Sequence, residues 1–352
     1  MIAEEFDLAL ADWREQMMHD KCPELMTQAI ATAQDMGYLL GQARALLYRG
    51  EYLIDLGEQP TLAIKDFREA SLIARPLRDW SLLAQTLHWQ AQSQLLLGEY
   101  MRALDIWLQA LQTAIEAEDS RAFIRGYSGI AQVCLVFNQL DVSLEYQRRA
   151  LSMADNVDDL ALKIDCLLAL IATCYRLKLY DEMAQLLKRL HANLQARPNL
   201  ETQAEFHIYT GLIAFDHQAY GEALEHLQLA RILAQQFGGL WCRAYVALIL
   251  GRIYLAQEQL NAAKLSLELC LRLGVQIHGF AMNQEAHQLL ETLCAKQGDY
   301  QGALEHLQFA HSHRLNLLQK QAERKLHRIS HKQLNQLELA LRLALSRLRY
   351  ST

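Results

Sequence analysis

One column of residues recurs along the 352-residue chain without insertion: Pro60, Tyr100, Leu140, Tyr180, Tyr220, Leu260 and Tyr300, each 40 residues after the last. A fixed period of this length marks stacked supersecondary units, not the two compact domains that length alone would suggest. Three residues on lies a mostly small column, Ala63, Ala103, Ser143, Met183, Ala223, Ala263 and Ala303. Seven further on come Ala70, Ala110, Ala150, Leu190, Ala230, Cys270 and Ala310. Spacings of 3 and 7 put the three columns on one helical face, where small side chains let a neighbouring helix approach closely. This face belongs to the second helix of each unit.

Turn chemistry precedes it. Gly98-Glu-Tyr100 and Gly298-Asp-Tyr300 put Gly where a preceding helix ends in a left-handed residue, and other units use Gly57, Asn138 or Gln259 nearby. Upstream, Leu82 to Leu97, Ile124 to Phe137, Ala204 to Phe215 and Cys242 to Leu255 carry helical apolar spacing and predict the first helix of each pair. A degenerate unit stands at the start: Phe6, Leu10, Trp13 and Met17 form a stripe, and Pro23 opens a helix through Ala29 and Ala33. With 4 Pro and 16 Gly in the chain, breakers are few and long helices are favoured over a turn-rich β fold. One hairpin cannot bury both of its apolar faces, so neighbours must stack and share a continuous core.

The run Gly-x-Tyr-x-x-Ala-Leu, present as Gly98, Tyr100, Ala103, Leu104 and as Gly298, Tyr300, Ala303, Leu304, followed by Trp107 and Ala110 or by Leu307 and Ala310, resembles the tetratricopeptide repeat. The period of 40 instead of 34 looks like the longer-helix variant of bacterial signalling and transcription-regulator arrays, and of the family's first-helix signature only Gly211 and Gly251 keep the small position. The resemblance implies an all-α, right-handed superhelical solenoid of about eight helical hairpins over residues 1–318, with units beginning near 1, 42, 81, 121, 160, 201, 241 and 281.

No Gly or Pro follows Gly302, so the last repeat helix is expected to run on into a basic C-terminal helix over 319–352. Leu315, Leu318, Leu326, Ile329, Leu337, Leu341 and Leu348 recur at helical steps, with a mean near the eleven-residue period, and mark a candidate coiled coil that pairs with its copy as a homodimer or couples to a partner. Residues 311–352 hold nine Lys and Arg against Glu323 and Glu338, a net of +7, which leaves −13 for the rest of a chain of net −6. Such a tail suits an acidic protein surface, nucleic acid or an acidic membrane, or is simply a solvated face; without interleaved aromatics it lacks the stacking surface that nucleic acid requires.

Catalytic readings fail on geometry. His311 and His313 lie on different sides of a helix, and His327 and His331, four apart, have no third ligand nearby. Cys134, Cys174 and Cys294 share a repeat column with Ala214 and Tyr254, which points to packing instead of nucleophilic attack. There is no Gly-rich phosphate loop and no Gly-x-Ser-x-Gly, so no enzyme, metal or cofactor is expected. An acidic start without a basic apolar leader, apolar runs shorter than a bilayer span, and seven cysteines without a Cys-x-x-Cys pair predict a cytoplasmic protein with no membrane segment.

What remains is surface. In tetratricopeptide arrays the first helices line a concave groove, and the resemblance carries its groove positions onto Tyr48, Arg49, Tyr52, Gln85, His88, Trp89, Gln92, Arg125, Gln132, Tyr209 and Arg252. Aromatics and Arg dominate binding hot spots, although the same residues at helical spacing also serve as interhelix core. The expected role is a non-catalytic scaffold or regulator in bacterial signalling that binds a peptide or protein in the groove and couples through the tail. The alternative implied by the resemblance is the sensory half of a diguanylate cyclase or kinase system, acting in cis or in trans.

Overall fold

The computed structural model describes residues 2–20, 22–55, 60–277 and 279–323, together with Gln336, Leu339 and Ala340. Among these residues there is no strand, and sixteen helices form eight consecutive hairpins. They are α1 (Ala3–Asp20) with α2 (Glu24–Asp35), α3 (Leu39–Asp55) with α4 (Pro60–Leu77), α5 (Trp80–Leu96) with α6 (Tyr100–Glu116), and α7 (Ser120–Val136) with α8 (Leu140–Ala154). There follow α9 (Leu160–Arg176) with α10 (Tyr180–Ala196), α11 (Leu200–Asp216) with α12 (Tyr220–Phe237), α13 (Leu240–Ala256) with α14 (Leu260–Gln276), and α15 (Phe280–Lys296) with α16 (Tyr300–Glu323).

The turns repeat as faithfully as the helices. From α5 onward each first helix is followed by a left-handed residue: Gly98, Asn138, Lys178, Gln218, Glu258 and Gly298, with φ between 58° and 78°. The next amide bonds back to the carbonyl five residues before it, as Glu99 to Gln94, Leu179 to Cys174, Ala219 to Ala214, Gln259 to Tyr254 and Asp299 to Cys294, which absorbs a carbonyl left over at the helix end. Glu258 takes the left-handed position, and Gln259 follows it as the residue just before α14; Gly57 lies outside the described residues. The first helices start on side-chain caps with the same period: Asp79, Asp119, Asp159 and Asn199 accept from the amides of Leu82, Ala122, Leu162 and Thr202 at 2.9–3.0 Å.

The small columns of the second helices are buried from Ala63 to Ala303 and from Ala70 to Ala310. Facing them, first helices carry their own small residues. Gly50, Gly211 and Gly251 leave room for Phe67, Leu227 and Leu267 of the same hairpin, and Gly129 of α7 leaves room for Trp107 of the preceding α6. At the start, Phe6, Leu10 and Met17 of α1 and Ala29 and Ala33 of α2 are buried, with Phe6 edge-on to Trp13 and Tyr38.

The described residues divide into two compact units: those of Met1–Val136 and Glu145–Val157, and those of Phe137–Leu144 and Asp158–Leu326. In the first unit α1, α3, α5 and α7 touch one another in sequence; in the second, α9, α11, α13 and α15 do the same. First helices thus form a layer in each unit, and its free face carries the candidate site. Of the tail positions, Leu315 is exposed on α16, Leu318 has its backbone in that helix, and Leu326, Ile329, Leu337, Leu341 and Leu348 lie outside the described residues. No helix among the described residues is long and apolar enough to cross a membrane.

Candidate partner-binding face of the first helices

Each first helix shows one stripe to the free face, and the stripe is set by the turn that starts the helix. The left-handed residue before α5 is Arg78 and that before α7 is Glu118, 40 apart; the one before α3 is Gly37, 41 before Arg78. The helix α3 is therefore out of step with its successors by one residue, or about 100° of rotation. Tyr48 corresponds to Trp89 and Glu51 to Gln92, whereas Arg49 and Tyr52 turn toward the neighbouring helices.

The contacts agree with that rotation. Arg49 makes a two-pronged ion pair with Asp66 of α4, Nε to Oδ2 at 2.8 Å and Nη2 to Oδ1 at 2.7 Å, and its Nη1 donates to Thr27 of α2 at 2.9 Å. It is an interhelix clamp on a buried carboxylate. Tyr52 is buried in the core. Neither belongs to the face that the resemblance assigned them to.

In the first unit the face gathers Tyr48, Trp89, His88 and Arg125 around a residue that the sequence reading missed, Glu51. Arg14 of α1 donates to Glu51 at 2.9 Å and lies over the Tyr48 ring at 4.1 Å from its centroid. Burial raises the Glu51 carboxyl, against the lowering effects of Arg14, a hydrogen bond from Trp89, and Arg125. His88 is edge-on to Trp89, and its Nδ1 accepts from the Trp107 indole at 3.3 Å. Burial, assisted by Arg125, drives the His88 ring down to about 3, so it is neutral at every ordinary pH. Gln85, Gln92 and Gln132 are half-buried on the same helices.

In the second unit Arg252 of α13 is the centre. It donates to the Tyr175 hydroxyl of α9 at 3.1 Å, lies 4.8 Å from the centroid of Phe215 on α11, and reaches Glu285 of α15 at 3.8 Å. One side chain thus touches three other first helices, two hairpins away included, which is possible only where their free faces converge. Tyr209 is buried beside Tyr245, whose ring lies tilted against the exposed Trp241 at 5.1 Å between centroids. Near them Glu205 is pushed up to about 8 by burial and then by Glu201 and Asp165.

Gln85, Arg125, Asp165, Glu205, Tyr245 and Glu285 occupy one repeat position, with Arg44 in the shifted register of α3. The sequence reading recovered two of them; following the column through the later repeats would have found the others. The described cysteines are all free, and burial raises Cys134 to about 11 and Cys270 to about 12, so both stay protonated packing groups.

Paired helices of this length, bonded turns at a fixed step and a shared face of first helices define an all-α helical-repeat fold of the tetratricopeptide type. Solved structures carry the same fold. A Rap protein complexed with competence and sporulation factor matches at 12% identity and a TM-score of 0.64, over 90% of this chain and 100% of that one. The Rap conjugation gene regulator of the plasmid pLS20, in complex with the Phr* peptide, matches at 14% and 0.63 over 82% and 78% of the two chains. Aspartyl phosphate phosphatase F from Bacillus subtilis matches at 15% and 0.58 over 87% and 79%. The sequence matches no protein-family model and no curated protein.

Proposed function

We propose that this chain is a non-catalytic interaction regulator that holds a peptide, or an extended segment of a protein, against the free faces of its first helices. The observation that carries the reading is the convergence at Arg252, where a cation, three aromatic rings and a carboxylate from four helices share one surface. Such a surface suits hot-spot binding because its anchors are already ordered and partly desolvated. Two solved proteins of the same fold support it, since one is complexed with competence and sporulation factor and the other with the Phr* peptide.

The charges give the ligand a chemistry. In the first unit Trp89 and Arg125 offer an aromatic and a cation to an acidic or aromatic segment. In the second, Asp165 and Glu285 offer carboxylates to a basic one, and Glu205, held largely protonated at neutral pH, offers a carboxylic acid. Seven free thiols, six of them buried, fit work in the cytosol.

A displayed library of random peptides, selected on the full chain, tests this. Selected peptides are expected to bind the Arg125→Ala or Arg252→Ala protein at least tenfold more weakly, about 1.4 kcal/mol. If no peptide is enriched, or if enriched peptides bind both variants as tightly as the parent, the faces are not the binding surface.

A further inference from the structure

Two hairpins of the second unit carry the same pair of side chains. His207 of α11 and His226 of α12 face each other with their Nδ1 atoms 3.0 Å apart, and His287 of α15 and His306 of α16 do the same at 3.0 Å. The ring centroids are 5.3 and 5.2 Å apart, farther than the nitrogens, so each ring turns its Nδ1 toward the other. All four residues are half-buried, within reach of solvent.

The members of a pair stand 19 residues apart on different helices. In the other hairpins from α5 onward the same two positions hold Leu87 with Ile106, Tyr127 with Tyr146, Leu167 with Leu186 and Ala247 with Ser266. A histidine therefore occurs at either position only with its match. A lone histidine would fill the space; two at one point bring two nitrogen ligands together.

We propose that each pair chelates one divalent transition-metal ion of the zinc, nickel or copper class through its two Nδ1 atoms. Ligands at the length of a metal–imidazole bond stand about 2.9–3.4 Å apart at tetragonal to tetrahedral angles, and the observed spacing falls inside that range. Between neutral rings one Nδ1 carries a hydrogen; binding moves it to the Nε2 of the same ring and turns both lone pairs to the ion, with no net release of a proton. Around His306 the charges favour a cation, with Glu305, Asp299 and Glu268 set against Lys264. Among the described residues no group of three His, Cys, Asp or Glu converges, so each pair supplies two ligands and water the rest. Sequence spacing hid the sites, because ligands on one helix stand three or four apart and these come from two helices. A bound ion ties the two helices of its hairpin together.

Equilibrium dialysis of the full chain against zinc chloride at tens of micromolar counts the ions. The parent is expected to bind two more per chain than a protein carrying both His226→Gln and His306→Gln, and each single variant one fewer than the parent. His207→Gln and His287→Gln, which remove the other member of each pair, are expected to give the same losses, so one variant that fails to fold does not decide the outcome. Counting by difference sets aside ions held at other histidines, such as His327 and His331. The proposal is overturned for a pair if both of its single variants bind as many ions as the parent; that pair is then only a hydrogen bond between helices.

Discussion

At His88 a ring that accepts a hydrogen bond from Trp107 is held neutral by burial and by the Arg125 charge. An unfolded histidine titrates near 6.5, so the unfolded chain takes up a proton that the folded chain refuses until about 3. The stability tied to neutral His88 is therefore complete above about pH 6.5 and is lost as the pH falls from there. His207 and His306, both lowered mainly by burial, act in the same direction. Urea midpoints at pH 7.5 and pH 5.0 should show the parent losing more than His88→Gln, by about 1 kcal/mol once partial solvent contact at the ring is allowed for. Equal losses would mean that the ring takes up its proton without cost. A second residue-scale cost lies at the turns. Gln218 holds φ at 62°, a left-handed angle that glycine adopts freely and a side chain with a Cβ does not. Gln218→Gly should raise stability by about 0.5–1 kcal/mol, read as a higher thermal midpoint, because Gly98 and Gly298 already fill the same position.

Among elements, α7 comes close to α6 where Trp107 occupies the space a side chain at 129 would need. Trp107 is fully buried, and a large ring in a filled core has nowhere to move. Gly129→Ala should cost about 1–3 kcal/mol in chemical denaturation, more than the gain in helix propensity returns. The hairpins themselves were legible because Tyr100 to Tyr300 and the Ala columns fall on second helices, whose spacing never varies. The rotation of α3 was not legible from those columns. Its extra residue lies between the end of α3 and Pro60, so it shifts the first helix against the second without disturbing the second-helix register. Gly50 held the clue: it matches Gly211 and Gly251, the residues under Leu227 and Leu267, only if one residue is added to the step. Without that correction Arg49 reads as a groove cation instead of the partner of Asp66. The caps at Asp79, Asp119, Asp159 and Asn199 were also readable, as acidic or amide residues 40 apart just before a helix.

For the molecule as a whole, fold and face come from different parts of the pattern. Buried, mostly small positions determine the stacking, and the columns that vary in chemistry determine what is presented. Arg125, Asp165, Glu205 and Tyr245 share one position in successive hairpins, yet they put a cation, two carboxyl groups and a phenol there. This is why the architecture could be read from spacing while Glu51, Tyr175 and Glu285 could not be assigned: their partners, Arg14 and Arg252, come from other hairpins, and only the folded chain brings them within reach.

The turn that closes the later first helices, a left-handed residue with an amide bonded five positions back, also governs how such a chain can change in length. Because Lys178, Gln218 and Glu258 sit at equal steps in equivalent surroundings, a block of forty residues cut between any two of them rejoins like to like. The junction inherits an acceptable dihedral angle and an intact terminal carbonyl bond. Gain or loss of whole blocks therefore requires no new joint to be invented, whereas a block of thirty-nine or forty-one would turn every residue between the cut and the next loop to a different side.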